Sequence, residues 1–366
     1  MIRLNAVKGG KLQFQRFIGT GGIGSGMFFK LNENHTLGRN ESRSGVLTPF
    51  RDYCKLHIIT HYISVLLSAG TLTGPEVYPI GSVGDDDTGL ALIREMQNSG
   101  MSTANISVIS NARTLFSVCF QYPDSTGGNI TTSNSASACV APADIDNFFK
   151  TMPPDEKGEL ILAVPEVPLE TRIRLLEFGR ERKSFNVSAV LSSEIVEFKR
   201  NGGFQKTDYL AVNIDEASTI AGITEEATET GVIIRSCIDV LTQINPRIMV
   251  TVTDGPNGSY GWANGCLERI PPLAADAIGT GGAGDAFVSG VITGLCCGLP
   301  FLKGTNDTFF SEIPLKSAIE LGALLASFSV TSPHTIHPEA NAEMLVRYAK
   351  AGEVQISEEF LSMFLY

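Results

Sequence analysis

The sequence predicts an α/β fold, a doubly wound and mainly parallel sheet with helices on both faces, together with a small β lid. Two observations predict it. Through the middle of the chain, short apolar runs alternate with segments of helical period, and two polar stretches, 32–51 and 110–137, break that alternation. The runs 160–164, 185–191, 208–213 and 247–253 read as strands. They are apolar almost throughout rather than at every second residue, as strands buried on both faces are. Between the first two, Leu169, Ile173 and Leu176 recur at helical spacing, and 216–221 and 231–244 repeat that pattern.

Upstream, 77–83 reads as a strand feeding a helix over 86–99 that Gly100 stops. Downstream, 259–262 and 266–270 flank Asn264-Gly265, a hairpin signal. Helices over 315–330 and 338–350 close the fold. No repeat or linker interrupts the chain, so 1–366 reads as one domain whose lid segments are roughly 32–51 and 110–137.

Composition excludes several classes of function. With 43% hydrophobic and 18% charged residues the chain is globular rather than disordered. A net charge of −11 without any Lys/Arg run argues against nucleic acid as a partner. An anionic ligand has to be held locally, by oriented backbone N–H groups and a few cations. The longest apolar stretch, 286–302, is broken by Ser289, glycines and Pro300, so no membrane span is expected. Seven scattered cysteines without a Cys-x-x-Cys pair read as reduced thiols of a cytoplasmic protein.

Two stretches satisfy Gly-x-Gly-x-x-Gly. The first, 19–24, follows a strand at 15–18, but 27–31 after it reads as another strand, and Glu41 lies in a polar loop. A dinucleotide site needs a helix there, so an NAD-dependent oxidoreductase is the weaker reading. The second, 279–284, runs at once into Asp285 and a helix over 286–292. Small residues at a helix start let N–H groups converge on a phosphate. A carboxylate at that turn could take the proton of a hydroxyl attacking the phosphoryl group. From these residues alone, Asp285 reads equally well as a helix cap.

The segment Thr280-Gly281-Gly282-Ala283-Gly284-Asp285-Ala286-Phe287 resembles the Asp-Thr-x-Gly-Ala-Gly-Asp-Ala-Phe signature of the ribokinase (PfkB) family. Three more segments occur in that family's order: 81–89 resembles its Gly-x-Val-Gly-x-Asp-x-x-Gly turn, 213–216 its Asn-x-x-Glu, and 252–258 its Val-Thr-x-Gly-x-x-Gly. The resemblance implies an ATP-dependent carbohydrate kinase with a ribokinase-like fold. Asp285 would be the general base, and the N–H groups of Gly282, Ala283 and Gly284 the anion hole. ATP would lie along Thr253, Gly255, Gly258 and Thr280, near the helix at 327–332. Asn213 and Glu216 would organise Mg²⁺, hard oxygen ligands for a hard cation. Read without the family, Glu216 is a first-turn helix acid and the two glycines of 253–258 a tight turn. The implied partner is a sugar or nucleoside, and many members are homodimers.

Three departures concern the substrate half. Gly279 stands where the signature begins with Asp, which puts a monovalent-cation site in doubt. The stretch 24–27 has no Asp of the kind that holds substrate hydroxyls. The Gly-Gly-x-x-x-Asn motif is replaced in a helix beginning at 52–62. There Asp52, Lys55 and His57 or His61, with Arg39, Arg43 or Arg51, suggest a polar acceptor-binding cluster; solvated polar residues on a helix would look the same. His57 and His61 at i and i+4 also resemble half of a zinc site, but the Glu of His-Glu-x-x-His and a third ligand are missing. The altered motifs leave a second reading open, a nucleotide- or sugar-binding regulatory protein that kept the fold and lost activity.

Overall fold

The computed structural model describes residues 3–124, 126–155, 158–223, 228–304 and 315–364. Its strands are β1 (Arg16–Thr20), β2 (Gly24–Leu31), β3 (Gly45–Leu47), β4 (Asp52–Tyr53), β5 (Glu76–Gly84), β6 (Ile106–Ile109), β7 (Leu115–Gln121), β8 (Gly127–Thr131), β9 (Glu159–Ala163), β10 (Phe185–Ala189), β11 (Tyr209–Asn213), β12 (Met249–Thr253), β13 (Ser259–Ala263) and β14 (Cys266–Ile270). The helices are α1 (Lys55–Leu67), α2 (Asp87–Asn98), α3 (Pro142–Thr151), α4 (Leu169–Arg182), α5 (Ile195–Arg200), α6 (Gly203–Lys206), α7 (Ile214–Ala221), α8 (Thr230–Ile244), α9 (Ala283–Cys297), α10 (Ala318–Ser329), α11 (Ala342–Ala351) and α12 (Glu358–Ser362).

The main sheet has nine strands in the order β14-β13-β12-β11-β10-β9-β1-β5-β6. From β12 to β6 every neighbouring pair is parallel, and the β13–β14 hairpin adds an antiparallel edge. Asn264 and Gly265 at its tip have φ of 51° and 83°, the left-handed pair that a tight hairpin turn demands. Successive strand residues face opposite layers. Leu160 and Leu162 pack in one core with residues of α1, α9 and α10, whereas Ile161 and Ala163 pack in the other with residues of α3, α4 and α8. This double burial is why the strands read as unbroken apolar runs.

A second, five-stranded sheet stands apart, with order β3-β2-β7-β8 and β4 paired to β2. The polar stretches at 32–51 and 110–137 furnish β3, β7 and β8. Its longest strand is the apolar β2, which enters directly from β1 through Gly21, Gly22 and Ile23.

Helix starts depart by a few residues from the sequence pattern, each for a local reason. Helix α10 begins at 318 because Glu320 reaches back to Ser317, its Oε2 accepting from Ser317 N at 3.0 Å and from Ser317 Oγ at 2.8 Å. Helix α11 begins at 342, after Asn341 accepts from Met344 N. Residues 52–53, expected in a helix, instead pair with Gly26 and Ser25 of β2. Among the described residues, no helix is long and apolar enough to cross a membrane.

Helices α9 and α10 meet at glycines. A Cβ on Gly290 would lie 2.7 Å from both Gly322 Cα and Leu321 O, and one on Gly322 would lie 2.8 Å from Phe287 O. The opposing atoms are backbone and cannot rotate away. Gly290→Ala is therefore expected to lower the unfolding free energy by about 1–3 kcal/mol, the usual scale of overpacking. It should do so although alanine is the better helix former by about 1 kcal/mol. Urea unfolding checks the sign, and a stabilised variant would mean that the helices are further apart.

Candidate active site

The carboxyl ends of parallel strands are where open α/β sheets gather ligands, and of the charged residues singled out in the sequence, Asp285, Lys55 and Glu216 lie within one another's field. Helix α9 starts after Gly282, whose φ of 75° and contact with Thr335 O, 2.6 Å from any added Cβ, admit only glycine. Apart from the adjoining residues and the helix's own backbone, no atom lies within 4 Å of the place a Cβ on Gly284 would take, so the start of α9 faces open space there. Asp285, in the first turn, accepts from Lys55 Nζ at 3.2 Å through Oδ1. That ion pair joins the start of α9 to the start of α1.

Lys55 is a half-buried cation in an acidic setting. Asp285 above all, then Glu216 and Glu166, hold its ammonium well above the ordinary lysine range against the effect of burial. Glu216 follows β11, whose last residue, Asn213, caps α7: Asn213 Oδ1 accepts from Glu216 N at 2.8 Å, and Glu216 Oε2 from Asn213 N at 2.8 Å. The structural reading of this pair is therefore realised as a capping box. The same carboxylate nevertheless lies within the field of Lys55 and Asp285, with burial raising its pKa and Lys55 opposing.

Glu166 went unnoticed in the sequence. It follows the apolar strand β9 with a left-handed φ of 78°, strained for a residue with a side chain. Its carboxylate packs over Gly22, where an added Cβ would fall 2.6 Å from Oε2. That oxygen is buried without a hydrogen-bond partner. Burial pushes the group up to about 7, against the pull of Lys55 and of a hydrogen bond with Cys54. An acid directly after a fully apolar strand, in Val164-Pro165-Glu166, was the available signal.

Asp52 comes from β4. Its Oδ2 accepts from Ser117 Oγ at 2.6 Å and Cys119 Sγ at 3.2 Å, both on β7. A Cβ on Gly26 would fall 3.0 Å from that oxygen and 2.2 Å from Ser117 Oγ, so Asp52 and Ser117 occupy the space beside the strand that carries no Asp of its own. His57 is not with them. Two positions beyond Lys55 it points about 200° round the helix. It is 1% exposed and packs on the Tyr53 ring at 4.8 Å. Arg51 and Arg43 are paired with Glu95 and Glu41. Among the described residues, no group of three or more His, Cys, Asp or Glu could hold a metal, which leaves the His57–His61 pair without a third such ligand.

On the nucleotide side, Asn213 and Thr253 are register partners on β11 and β12. Gly255 and Gly258 beyond them have φ of 49° and 99°, and a side chain on Gly258 would strike Ile270 O at 2.3 Å. The turn thus needs glycine at 258 for its own geometry. Ile278 and Gly279 both donate to Val330 O, which sets the loop holding Thr280 against the end of α10, near 327–332. The first glycine-rich stretch passes from β1 into β2 with no helix after it, so it offers no helix N-terminus to a dinucleotide.

The residues present suit a nucleoside triphosphate and Mg²⁺. The open cradle at Gly284 fits a phosphoryl group. One carboxylate and one amide side chain, Glu216 and Asn213, suit a cation that keeps waters and takes other ligands from phosphates.

Comparison with known proteins agrees with this fold. A model described as pfkB family carbohydrate kinase matches residues 68–342. A deoxyribokinase of Salmonella typhi is 24% identical over 279 residues, covering 76% of this chain and 83% of that protein. The fold matches the structure of ribokinase from Giardia lamblia with a TM-score of 0.72 at 15% identity, covering 91% of this chain and 99% of that one. It matches ribokinase from Cryptococcus neoformans in complex with ADP with a TM-score of 0.70 at 16% identity, over 91% and 99% of the two chains. With a matched segment that takes in the start of α9, the capped start of α7 and the turn after β12, the chain belongs to the pfkB family of carbohydrate kinases.

Proposed function

We propose that this protein transfers the γ-phosphoryl group of ATP to a hydroxyl of a sugar or sugar-like molecule, with Asp285 as general base. One observation carries this reading: Asp285 sits in the first turn of α9, within the field of Lys55 and Glu216 and beside the open cradle at Gly284. Asp285 takes the proton from the attacking hydroxyl. The N–H groups of Gly282, Ala283 and Gly284 stabilise charge on the transferring phosphoryl oxygens. Thr253, Gly255, Gly258 and Thr280 line the nucleotide, and Asn213 and Glu216 orient Mg²⁺ and its waters. The metal, when bound, neutralises phosphate charge. Asp52 and Glu166 accept hydrogen bonds from the acceptor's remaining hydroxyls. The second sheet, which carries Asp52, serves as the lid that excludes water.

An ADP-release screen over sugars and nucleosides with Mg²⁺ tests this. Turnover with one of them is the expected result. The lack of an Asp at 24–27 favours the alternative of a binding protein with the fold alone, which predicts nucleotide binding without ADP formation for any acceptor. Seven free cysteines support a cytoplasmic setting. A homodimer is carried over from the family resemblance.

A further inference from the structure

The Lys55–Asp285 bridge is an obstacle to the chemistry proposed for Asp285. A base must stand about 2.6–3.2 Å from the hydroxyl it deprotonates. In the structure Lys55 Nζ occupies that range, 3.2 Å from Oδ1. Lys55 therefore competes with the acceptor hydroxyl for Asp285, and an ammonium that yields its place on one carboxylate needs another anion within reach. Its side chain is 31% exposed and ends in a flexible stem, so it is free to swing. Of the anions around it, Asp285 acts most strongly and Glu216 next. These are the groups assigned above to the acceptor proton and to the Mg²⁺ waters. The space between them belongs to the phosphoryl group in transit.

We propose that Lys55 is a phosphoryl clamp. In the empty site it bridges to Asp285; when a nucleoside triphosphate is bound it moves to the γ-phosphoryl oxygens and frees the base. The inference rests on the kinase reading. In the transfer itself the acceptor oxygen forms a bond to phosphorus, its proton passes to Asp285, and the P–O bond to ADP breaks with its electron pair on the β-phosphate oxygen. Lys55 stays protonated and only matches the charge of the group in flight. It belongs with the phosphate-binding residues rather than with an acceptor cluster alongside Asp52.

The test compares binding of a non-hydrolysable β,γ-imido ATP analogue and of ADP, each with Mg²⁺, to full-length wild type, Lys55→Met and Lys55→Arg by titration calorimetry. Lys55→Met is expected to weaken the analogue about 10-fold or more, the scale of one lost charge-assisted contact. ADP affinity should stay within about 2-fold, since ADP lacks the γ-phosphoryl group. In turnover the loss should fall on kcat rather than on the acceptor KM, and Lys55→Arg should recover most of the analogue affinity. Equal loss for both nucleotides, no loss for either, or a raised acceptor KM at unchanged analogue affinity would each overturn the clamp. Should Lys55→Met fail to fold, the arginine variant decides: a preference for the analogue over ADP far below that of wild type, despite a retained positive charge in reach, would count against it. Wild type that binds neither nucleotide overturns the kinase reading and the clamp together, whereas wild type that turns over while Lys55→Met keeps its analogue affinity overturns the clamp alone.

Discussion

Asp285→Asn is expected to lower kcat by about 10²-fold or more, the usual cost of losing a general base. The substitution keeps the size of the side chain and one acceptor oxygen but removes the group that takes the proton. ADP binding should change little, because the N–H groups of Gly282, Ala283 and Gly284 belong to the backbone. The ion pair to Lys55 is lost as well. That ammonium still has Glu216 and Glu166 beside it, so the variant should fold, and a thermal midpoint near that of wild type checks this. Steady-state ADP release with the acceptor found in the screen measures the effect. Turnover near that of wild type would remove Asp285 from the role of base.

The second large effect is on stability against pH. Burial holds His57 down to about 3, helped by His61 and Arg51, and holds His61 down to about 4. In the unfolded chain both imidazoles take up protons near 6.5. Their contribution to stability is therefore complete above about pH 6.5 and is lost as pH falls toward 4 and below. At about 1.4 kcal/mol per unit, His57 alone accounts for at most about 5 kcal/mol. Glu166 works the other way: burial raises it to about 7, so its contribution is complete below the ordinary carboxylate range and is lost as pH rises to about 7. His57 and His61, with His337 lowered by burial as well, outnumber Glu166 and Glu216, both raised by burial, which leaves a net rise in stability from about pH 4.5 to 6.5. Urea unfolding across that window should show it, with His57→Leu flattening the rise and Glu166→Gln steepening it. A flat wild-type profile would mean that the imidazoles are not buried neutral.

What the sequence made legible follows from which contacts are local. The strands β9 to β12 were readable because burial on both faces leaves an apolar signature within five residues. Strand β6, of four residues and half exposed, carries no such signature, and β8 is exposed along nearly all its length. The strand at Asp52–Tyr53 exists only because β2 lies beside it, which no local pattern records. At the site, the glycine spacing before Asp285 and the Asn213 to Glu216 interval are local and stood out. The Lys55–Asp285 pair spans 230 positions and did not. The grouping of His57 with Asp52 and Lys55 fails on the helical period itself, since positions two apart lie about 200° round a helix whether it starts at 52 or at 55.

The glycine contact between α9 and α10 bears on where the protein can give way. Two helices touching backbone to backbone behave as a single beam, and the first turn of α9 is the end of that beam. Thermal motion of the anion loop is then tied to motion of the whole core, because Phe287 and Val291 in the next turns are buried beneath it. On the proposed function, the compliance needed to admit an acceptor and release a product would have to come from the other wall, the small sheet that carries Asp52. The proposed chemistry would then sit on the anvil and the acceptor contacts on the hammer.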